Sequence, residues 1–588
     1  MASGTPFSGS TQPLNQQARL DTTTSLSGPA HSLVPPSLCI PVAKIDPSPP
    51  DGPDAVPPLD HQQFRLQNPT FTGSGSFATI EESVVESLSV PLQRQLSTAE
   101  RWKIILDTAV KGIVSIKYTA LRTFDRVFPG SYAATGFIVD RTRGIILSNR
   151  HVVTPGPTTA SALFSKYEEV FLEPIYFDPI HDFGFFKFDP TKIKFAEFEQ
   201  IELYPEGAKV GLDIKVCGND AGEQQSILGS TLARLDRPAP PGDWNTFYYQ
   251  AASGTSGGSS GSPVLDISGR AVALVSGGSV GTASSFYLPL DRVVRALKLI
   301  QEGLPVSRGT LLTEFVHLPY DELKKLGLPE DIERDCRRCN NNGTGLLTVR
   351  GGGVVPEGPG AIAGLEVGDI VLECYRPPFA PRYVDTFYAL SDIIDESVDE
   401  VIRLTVCRGT ERKTIDVKVK DLNSVIPDTF LEVEEAIIHP LSYQIARSNN
   451  LPCKGLYIAT PGIFTRAHGS LITQLDGKDV NSLEGLIEIL RSIPDRKNVS
   501  FRFRRIGGWE EEFDVCTIDH HFFPMTLFKR NAGVWERNVI TPNPVGVVEL
   551  KRTLEVGIEA TWSEKLKASL VVIDCRIPYP VHVISHSA

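Results

Sequence analysis

The 588-residue sequence has no run approaching the roughly 18 apolar residues that a membrane span needs, so no membrane span is expected. Its first residues carry no apolar stretch behind a basic start, which argues against a secretory signal peptide. It has no basic excess either. With 58 Lys and Arg against 70 Asp and Glu, the net charge is −12, and nucleic acid is excluded as the main partner because phosphate binding needs a basic face. The cysteines lack a framework: nine is an odd number, spread over the whole chain, which suits a reducing compartment better than a disulfide-stapled scaffold. Cys336-Arg-Arg-Cys339 has no second pair of ligands near it and reads as two ordinary thiols. No metal or cofactor is expected.

What is present is enough chain for about four domains of roughly 150 residues each. Residues 1–72 are rich in Ser, Thr, Pro, Gln and Gly without apolar periodicity, and are expected to be disordered. Ser97-Thr-Ala-Glu100 has the form of a capping box ahead of a helix carrying Trp102, Ile105 and Leu106. From about 112 to 278 the pattern becomes many short strands, among them 113–118, 136–139, 145–148, 170–177, 183–188 and 271–275. Turn signals separate them, which predicts an all-β barrel or sandwich. A helix follows, with Asp291 as its cap and Val293, Val294, Leu297 and Ile300 on one face. Two α+β units are expected at 306–420 and 426–517, with short helices at 320–326 and 483–490. The stretch 518–588 offers one strand-like run, 569–577.

Three local patterns occur in the order His, Asp, Ser. Leu147-Ser-Asn-Arg-His151 places a histidine at the end of a strand. Asp178-Pro-Ile-His-Asp182 places an aspartate at the entry of an apolar strand. Gly257-Gly-Ser-Ser260-Gly-Ser-Pro-Val places serines in a glycine-rich turn before a buried strand. A serine hydroxyl is a poor nucleophile until an imidazole takes its proton, and the imidazole needs a carboxylate to hold its tautomer. The glycines let the N–H groups of Gly258 and Ser260 converge on one oxyanion. The order is that of the chymotrypsin class. A Gly/Ser tract is more often a linker, but the strand-like flanks on both sides argue against that here. Ser259, Ser260 and Ser262 all remain possible nucleophiles on this pattern. His181 is a second histidine beside Asp182; adjacent side chains of an extended segment diverge, so His151 is preferred as base.

At these residues the chain resembles the HtrA/Deg serine proteases, and within them the large eukaryotic branch of fungal nuclear pro-apoptotic proteases and plant Deg proteases. The resemblance rests on Asn149-Arg-His-Val-Val, Pro179-Ile-His-Asp-Phe-Gly-Phe, Gly218-Asn-Asp-Ala-Gly222, the serine turn, and Tyr287-Leu-Pro-Leu-Asp-Arg292. It covers about 100–520. Aligning Gly261 with the family's Gly-Asn-Ser-Gly-Gly puts the nucleophile at Ser260. The implied architecture is multidomain: a disordered N-terminus, an all-β chymotrypsin-like double β-barrel at 95–303, and two α+β PDZ-like domains. Residues 518–588 would be a linker and the start of a second, degenerate protease-like domain.

Pro356-Glu-Gly-Pro-Gly-Ala-Ile-Ala-Gly-Leu-Glu-Val-Gly-Asp369 resembles a PDZ turn–helix–turn. Arg308, Gly309, Thr310 and Leu311 match the loop that receives a peptide carboxylate. Leu471-Ile-Thr-Gln-Leu-Asp-Gly-Lys-Asp-Val480 resembles the PDZ hairpin, without a carboxylate loop. The resemblance implies an ATP-independent serine endopeptidase acting on unfolded or regulatory proteins without a cofactor. It further implies PDZ domains that bind peptide C-termini, homo-oligomers, and residence in the nucleus or cytosol. The alternative is a peptide-binding scaffold or chaperone that no longer cuts.

Overall fold

The computed structural model describes residues 97–219, 226–251, 258–279, 284–339, 343–508, 510–531 and 533–543. The expected disorder of residues 1–72 and the strand-like run 569–577 lie outside these residues. The first described element is the helix Thr98–Ala109, where Ser97 and Glu100 exchange the two hydrogen bonds of a capping box and Trp102 is buried.

Two closed six-stranded antiparallel barrels follow, as the resemblance implied. The first is built from Ile113–Ala120, Gly130–Asp140, Ile145–Ser148, Thr158–Leu163, Glu169–Phe177 and Gly184–Lys187. The second uses Asp213–Gly218, Ser226–Pro238, Phe247–Ala251, Pro263–Leu265, Ala271–Ser279 and Ser284–Pro289. Alternating side chains fill each barrel, with Ile116, Ile138 and Phe186 at the centre of one and Val216, Leu232 and Val264 at the centre of the other. The opposite faces of the same strands meet between the barrels, where Phe137, Leu147, Phe185, Tyr248 and Leu265 form a shared core. The helix Asp291–Gln301 closes that core with Val293, Ala296 and Leu297. Its cap differs from expectation: Leu290 is the N-cap and Asp291 is the first helical residue. Val294 also departs, being 36% exposed, because the buried stripe runs through Ala296 instead.

The first α+β unit is a sheet whose main path runs Thr313–Pro319, Gly345–Val354, Ile370–Tyr375, Val401–Arg408 and Glu411–Lys418, with the helix Phe387–Asp395 packed on its core. A separate pair of short strands, Gly309–Thr310 and Lys420–Asp421, ties its two ends together.

The second unit is larger than the sequence suggested. Its nine-stranded sheet does not stop at 517 but continues through a hairpin, Met525–Asn531 and Val534–Ile540. The hairpin pairs with the strand Thr429–Val433, which in turn pairs with Ala436–Pro440. Its aromatic side chains seal the junction with the first barrel: Phe430 stacks on Phe528 with ring centroids 4.7 Å apart, and Trp535 and Phe124 meet the same ring at 5.2 and 5.7 Å. Stretch 518–543 is therefore part of this unit, and its edge strand is stabilised by aromatic cross-strand contacts.

Candidate active site

The strand Ile145–Ser148 ends in the buried pair Ser148 and Asn149, and one helical turn, Arg150–Val153, sinks Val152 and Val153 into the first barrel. That turn leaves the His151 side chain 44% exposed, facing Asp182. The Asn149 amide donates to the Asp182 carbonyl at 2.9 Å, which fixes the two segments against each other. His151 Nδ1 lies 2.9 Å from Asp182 Oδ1 and 3.0 Å from Oδ2, and the His151 backbone N–H donates to Oδ1 at 3.2 Å. A further donor was not foreseen from sequence: the Ser276 hydroxyl donates to Asp182 Oδ2. Burial pushes the Asp182 carboxyl up, but His151 and these donors outweigh it and hold it below the usual carboxylate range. For His151, loss of solvation pulls the imidazole down, yet the facing Asp182 charge wins and its pKa lies above the ordinary value.

The serine turn is pinned from the first barrel. Thr135 N–H donates to the Ser260 carbonyl at 2.8 Å, and its hydroxyl donates to the Gly258 carbonyl at 2.8 Å while accepting from the Asn219 N–H at 2.9 Å. Gly258 and Gly261 take φ of +99° and +85°. A Cβ on Gly261 would lie 2.0 Å from the Thr135 carbonyl oxygen and 2.4 Å from Ser148 Oγ, so only glycine fits. The three serines separate by environment. Ser259 and Ser262 are buried, with the Ser262 hydroxyl in contact distance of Gly218, whereas Ser260 is half-buried. Among the described residues no hydrogen bond joins Ser260 Oγ to His151, a gap that catalytic pairs commonly show before substrate binds.

His181 points the other way from Asp182. It is 2% exposed and its Nδ1 lies 2.8 Å from Asp243 Oδ1. Burial, with Arg292 nearby, depresses its pKa well below the ordinary histidine value. It has the marks of a structural histidine.

In the turn Arg308–Leu311, expected to receive a peptide carboxylate, several groups already have partners within the chain. Gly309 N–H donates to Asp395 Oδ1 at 2.9 Å, and the Arg308 guanidinium lies 2.5 Å from Asp395 Oδ2. Thr310 is committed to the strand pair with Lys420, and the buried Leu311 carbonyl accepts from Gly360. The carboxylate that these groups face belongs to the chain itself. Cys336 and Cys339 lie in the last turns of the helix Glu330–Cys339, and burial pushes the Cys336 thiol up to about 11, as suits an unreactive thiol.

The sequence model of the trypsin-like peptidase domain matches residues 134–274, which span the His151, Asp182 and Ser260 segments, and that of a PDZ-like domain matches 424–496. Protease Do-like 7 of Arabidopsis thaliana is 42% identical over 485 residues, covering 78% of this chain and 44% of the relative. The pro-apoptotic serine protease nma111 of Aspergillus terreus is 36% identical over 532 residues, covering 87% and 50%. The chain thus carries a trypsin-like peptidase domain and is similar over most of its length to HtrA-like serine proteases. It spans about half the length of the curated relatives it matches. An HtrA-type protease solved with a decapeptide aligns at 19% identity with a TM-score of 0.41, over 55% of this chain and 99% of that one. Within the HtrA-like fold, the residues that sequence reasoning missed are Ser276 and Thr135. Val275-Ser-Gly-Gly at the end of an apolar run, and a threonine one residue ahead of Gly136, were the signals available. Among the described residues, no helix is long and apolar enough to cross a membrane.

Proposed function

We propose that this chain is a serine endopeptidase that hydrolyses peptide bonds through an acyl-enzyme, with Ser260 as nucleophile, His151 as general base and Asp182 as its orienting partner. The observation that carries the reading is the two-point contact of Asp182 with the His151 Nδ1 and backbone N–H, beside a serine turn that only glycine at 261 allows. Asp182 holds the proton on Nδ1, which leaves Nε2 free to accept the Ser260 proton as Oγ attacks the carbonyl carbon. The N–H groups of Gly258 and Ser260 receive the oxyanion, a contribution of about 3–4 kcal/mol per donor in related chemistry. Collapse passes the proton from His151 to the leaving amine. Water, deprotonated by the same imidazole, then releases the acyl group.

Unfolded or regulatory proteins are the proposed substrates, cleaved without ATP by a homo-oligomer in the nucleus or cytosol. The "pro-apoptotic" names of the fungal relatives support a regulatory role. The test is casein hydrolysis and fluorophosphonate labelling of the wild type beside Ser260→Ala. Labelling that persists in Ser260→Ala overturns the nucleophile and moves attention to Ser259 or Ser262. A wild type that neither labels nor cuts returns the chain to the scaffold reading.

A further inference from the structure

An edge strand lying beside a helix is a place where an extended segment adds, its backbone pairing with the strand and its side chains entering the groove. In the first α+β unit that place lies between Thr313–Pro319 and Phe387–Asp395. It is already taken. The Asn245 side chain, from the segment ahead of the strand Phe247–Ala251, donates to the Thr313 carbonyl at 3.0 Å and accepts from the Phe315 N–H at 2.7 Å. These are two of the bonds that an added strand would make. The Phe247 ring meets Phe387 edge-on at 4.9 Å, and at the deep end Asp395 takes the Gly309 N–H.

The wall of this groove reaches the catalytic loop. Arg308 places its Nε 2.9 Å from Asp178 Oδ2, with the better-directed hydrogen bond running from Nη2 to Oδ1 at 3.5 Å. Asp178 in turn accepts the N–H groups of Ile180 at 2.9 Å and His181 at 2.7 Å, closing the turn that ends at Asp182. From the other side Asp243, two residues ahead of Asn245, holds His181. Two attachments of the aspartate loop therefore trace back to this groove, besides those that Asn149 and Ser276 make to Asp182.

We propose that Arg308 is a positioning residue for the catalytic centre. The first α+β unit is then a fixed buttress of the protease, and its groove is occupied by the chain's own Asn245 and Phe247 instead of a peptide C-terminus. This rests on the reading of Asp182 as the partner of His151. Arg308 lies behind the loop that carries Asp182, so its loss relaxes the turn and withdraws Asp182 from Nδ1. That slows the chemical step and leaves substrate affinity unchanged.

The experiment measures kcat and KM against pH in the full chain for Arg308→Gln, Arg308→Lys, Asn245→Ala and the surface control Arg403→Gln. Arg308→Gln is expected to lower kcat at least ~10-fold with KM within about twofold, since the interaction is realised in the transition state. Its acid limb moves to lower pH, because His151 loses the charge that raises it. Arg308→Lys restores part of the rate, Asn245→Ala shows the same change more weakly, and Arg403→Gln behaves as wild type. A fluorescein-labelled peptide ending in a free valine carboxylate does not bind the wild type at micromolar concentration. Wild-type kcat and pH profile in a folded Arg308→Gln overturn the proposal, as does a loss of rate with an unmoved pH profile or saturable binding of the peptide. Should Arg308→Gln fail to fold, Asn245→Ala decides on the same criteria. Fluorophosphonate labelling that survives in Ser260→Ala fails the triad reading instead, so the two failures are distinct.

Discussion

His181 and Asp243 form a buried pair 2.8 Å apart, directly behind the aspartate that faces His151. Burial drives both towards their uncharged forms: Asp243 is pushed up to about 7, although Tyr248 and the Trp244 N–H donate to it, and His181 is pulled well below 6.5. Two neighbouring histidines thus have opposite environments. His151→Ala is expected to reduce kcat by at least about 10⁴-fold, as loss of a triad base does. His181→Gln leaves the chemistry in place and costs roughly 1–3 kcal/mol of stability for the broken buried bond. Hydrolysis rates and urea midpoints of the two variants, measured side by side, check this.

Ser276 gives Asp182 its third donor besides His151 and the His151 backbone. Removing one hydrogen bond to a carboxylate is worth about 1.5 kcal/mol, so Ser276→Ala should lower kcat roughly tenfold. Asp182→Asn should lower it about 10⁴-fold by losing the tautomer control. The acid limb of the wild-type kcat profile should lie above the ordinary histidine value, because Asp182 outweighs the desolvation of His151. It should move down in Asp182→Asn. Stopped substrate hydrolysis from pH 5 to 9 reads both effects.

Gly261→Ala meets two obstacles at once: a positive φ and a Cβ driven into the Thr135 carbonyl. The expected result is loss of labelling at Ser260 together with about 3 kcal/mol or more of destabilisation. Labelling at the wild-type rate in this variant would contradict the constraint on the turn.

Glu434 is buried in the second α+β unit, where desolvation pushes its carboxyl to about 7 even though the Asp519 N–H donates to it. The folded state then holds the proton more tightly than the unfolded state, whose value is 4.5. This contribution to stability is complete below pH 4.5 and is lost as pH rises through 7. Glu434→Gln keeps an acceptor for the Asp519 N–H and carries no charge. Its urea midpoint should therefore exceed that of the wild type at pH 8, with the difference shrinking towards pH 4.5.

Phe430→Ala removes a ring that Phe528, Trp535 and Phe124 all touch and should cost about 3–5 kcal/mol, read as a fall in the urea midpoint. The loss should include the hairpin Met525–Ile540, whose pairing with Thr429–Val433 is seated on this ring.

Much of this architecture lies in local words. The strands around His151 and Asp182 announce themselves by short apolar runs between turn residues, and the serine turn by its glycines. The helix cap at Leu290 was missed because Asp291 has a capping side chain but sits one residue too late to use it. The hairpin after 517 was missed for a different reason. The side chains of its outer strand are mostly exposed and the hairpin's partner strand lies nearly a hundred residues earlier, so neither hydrophobic period nor spacing marks it. Arg308–Leu311 has the look of a ligand loop for the same kind of reason. The groups that satisfy it, Asp178 and Asp395, are 130 and 87 residues away and cannot be paired from the sequence.

Thr135 carries a consequence for how the chain acquires activity as it is made. It sits in the first barrel, with the proposed base and its orienting aspartate, yet three of its hydrogen bonds reach Asn219, Gly258 and Ser260 of the second. A growing chain that has completed only the first barrel has a histidine and an aspartate with nothing to activate. The serine turn takes its shape only when the second barrel closes against that threonine. On the proposed triad, Ser260 is therefore set for attack only once both barrels have assembled.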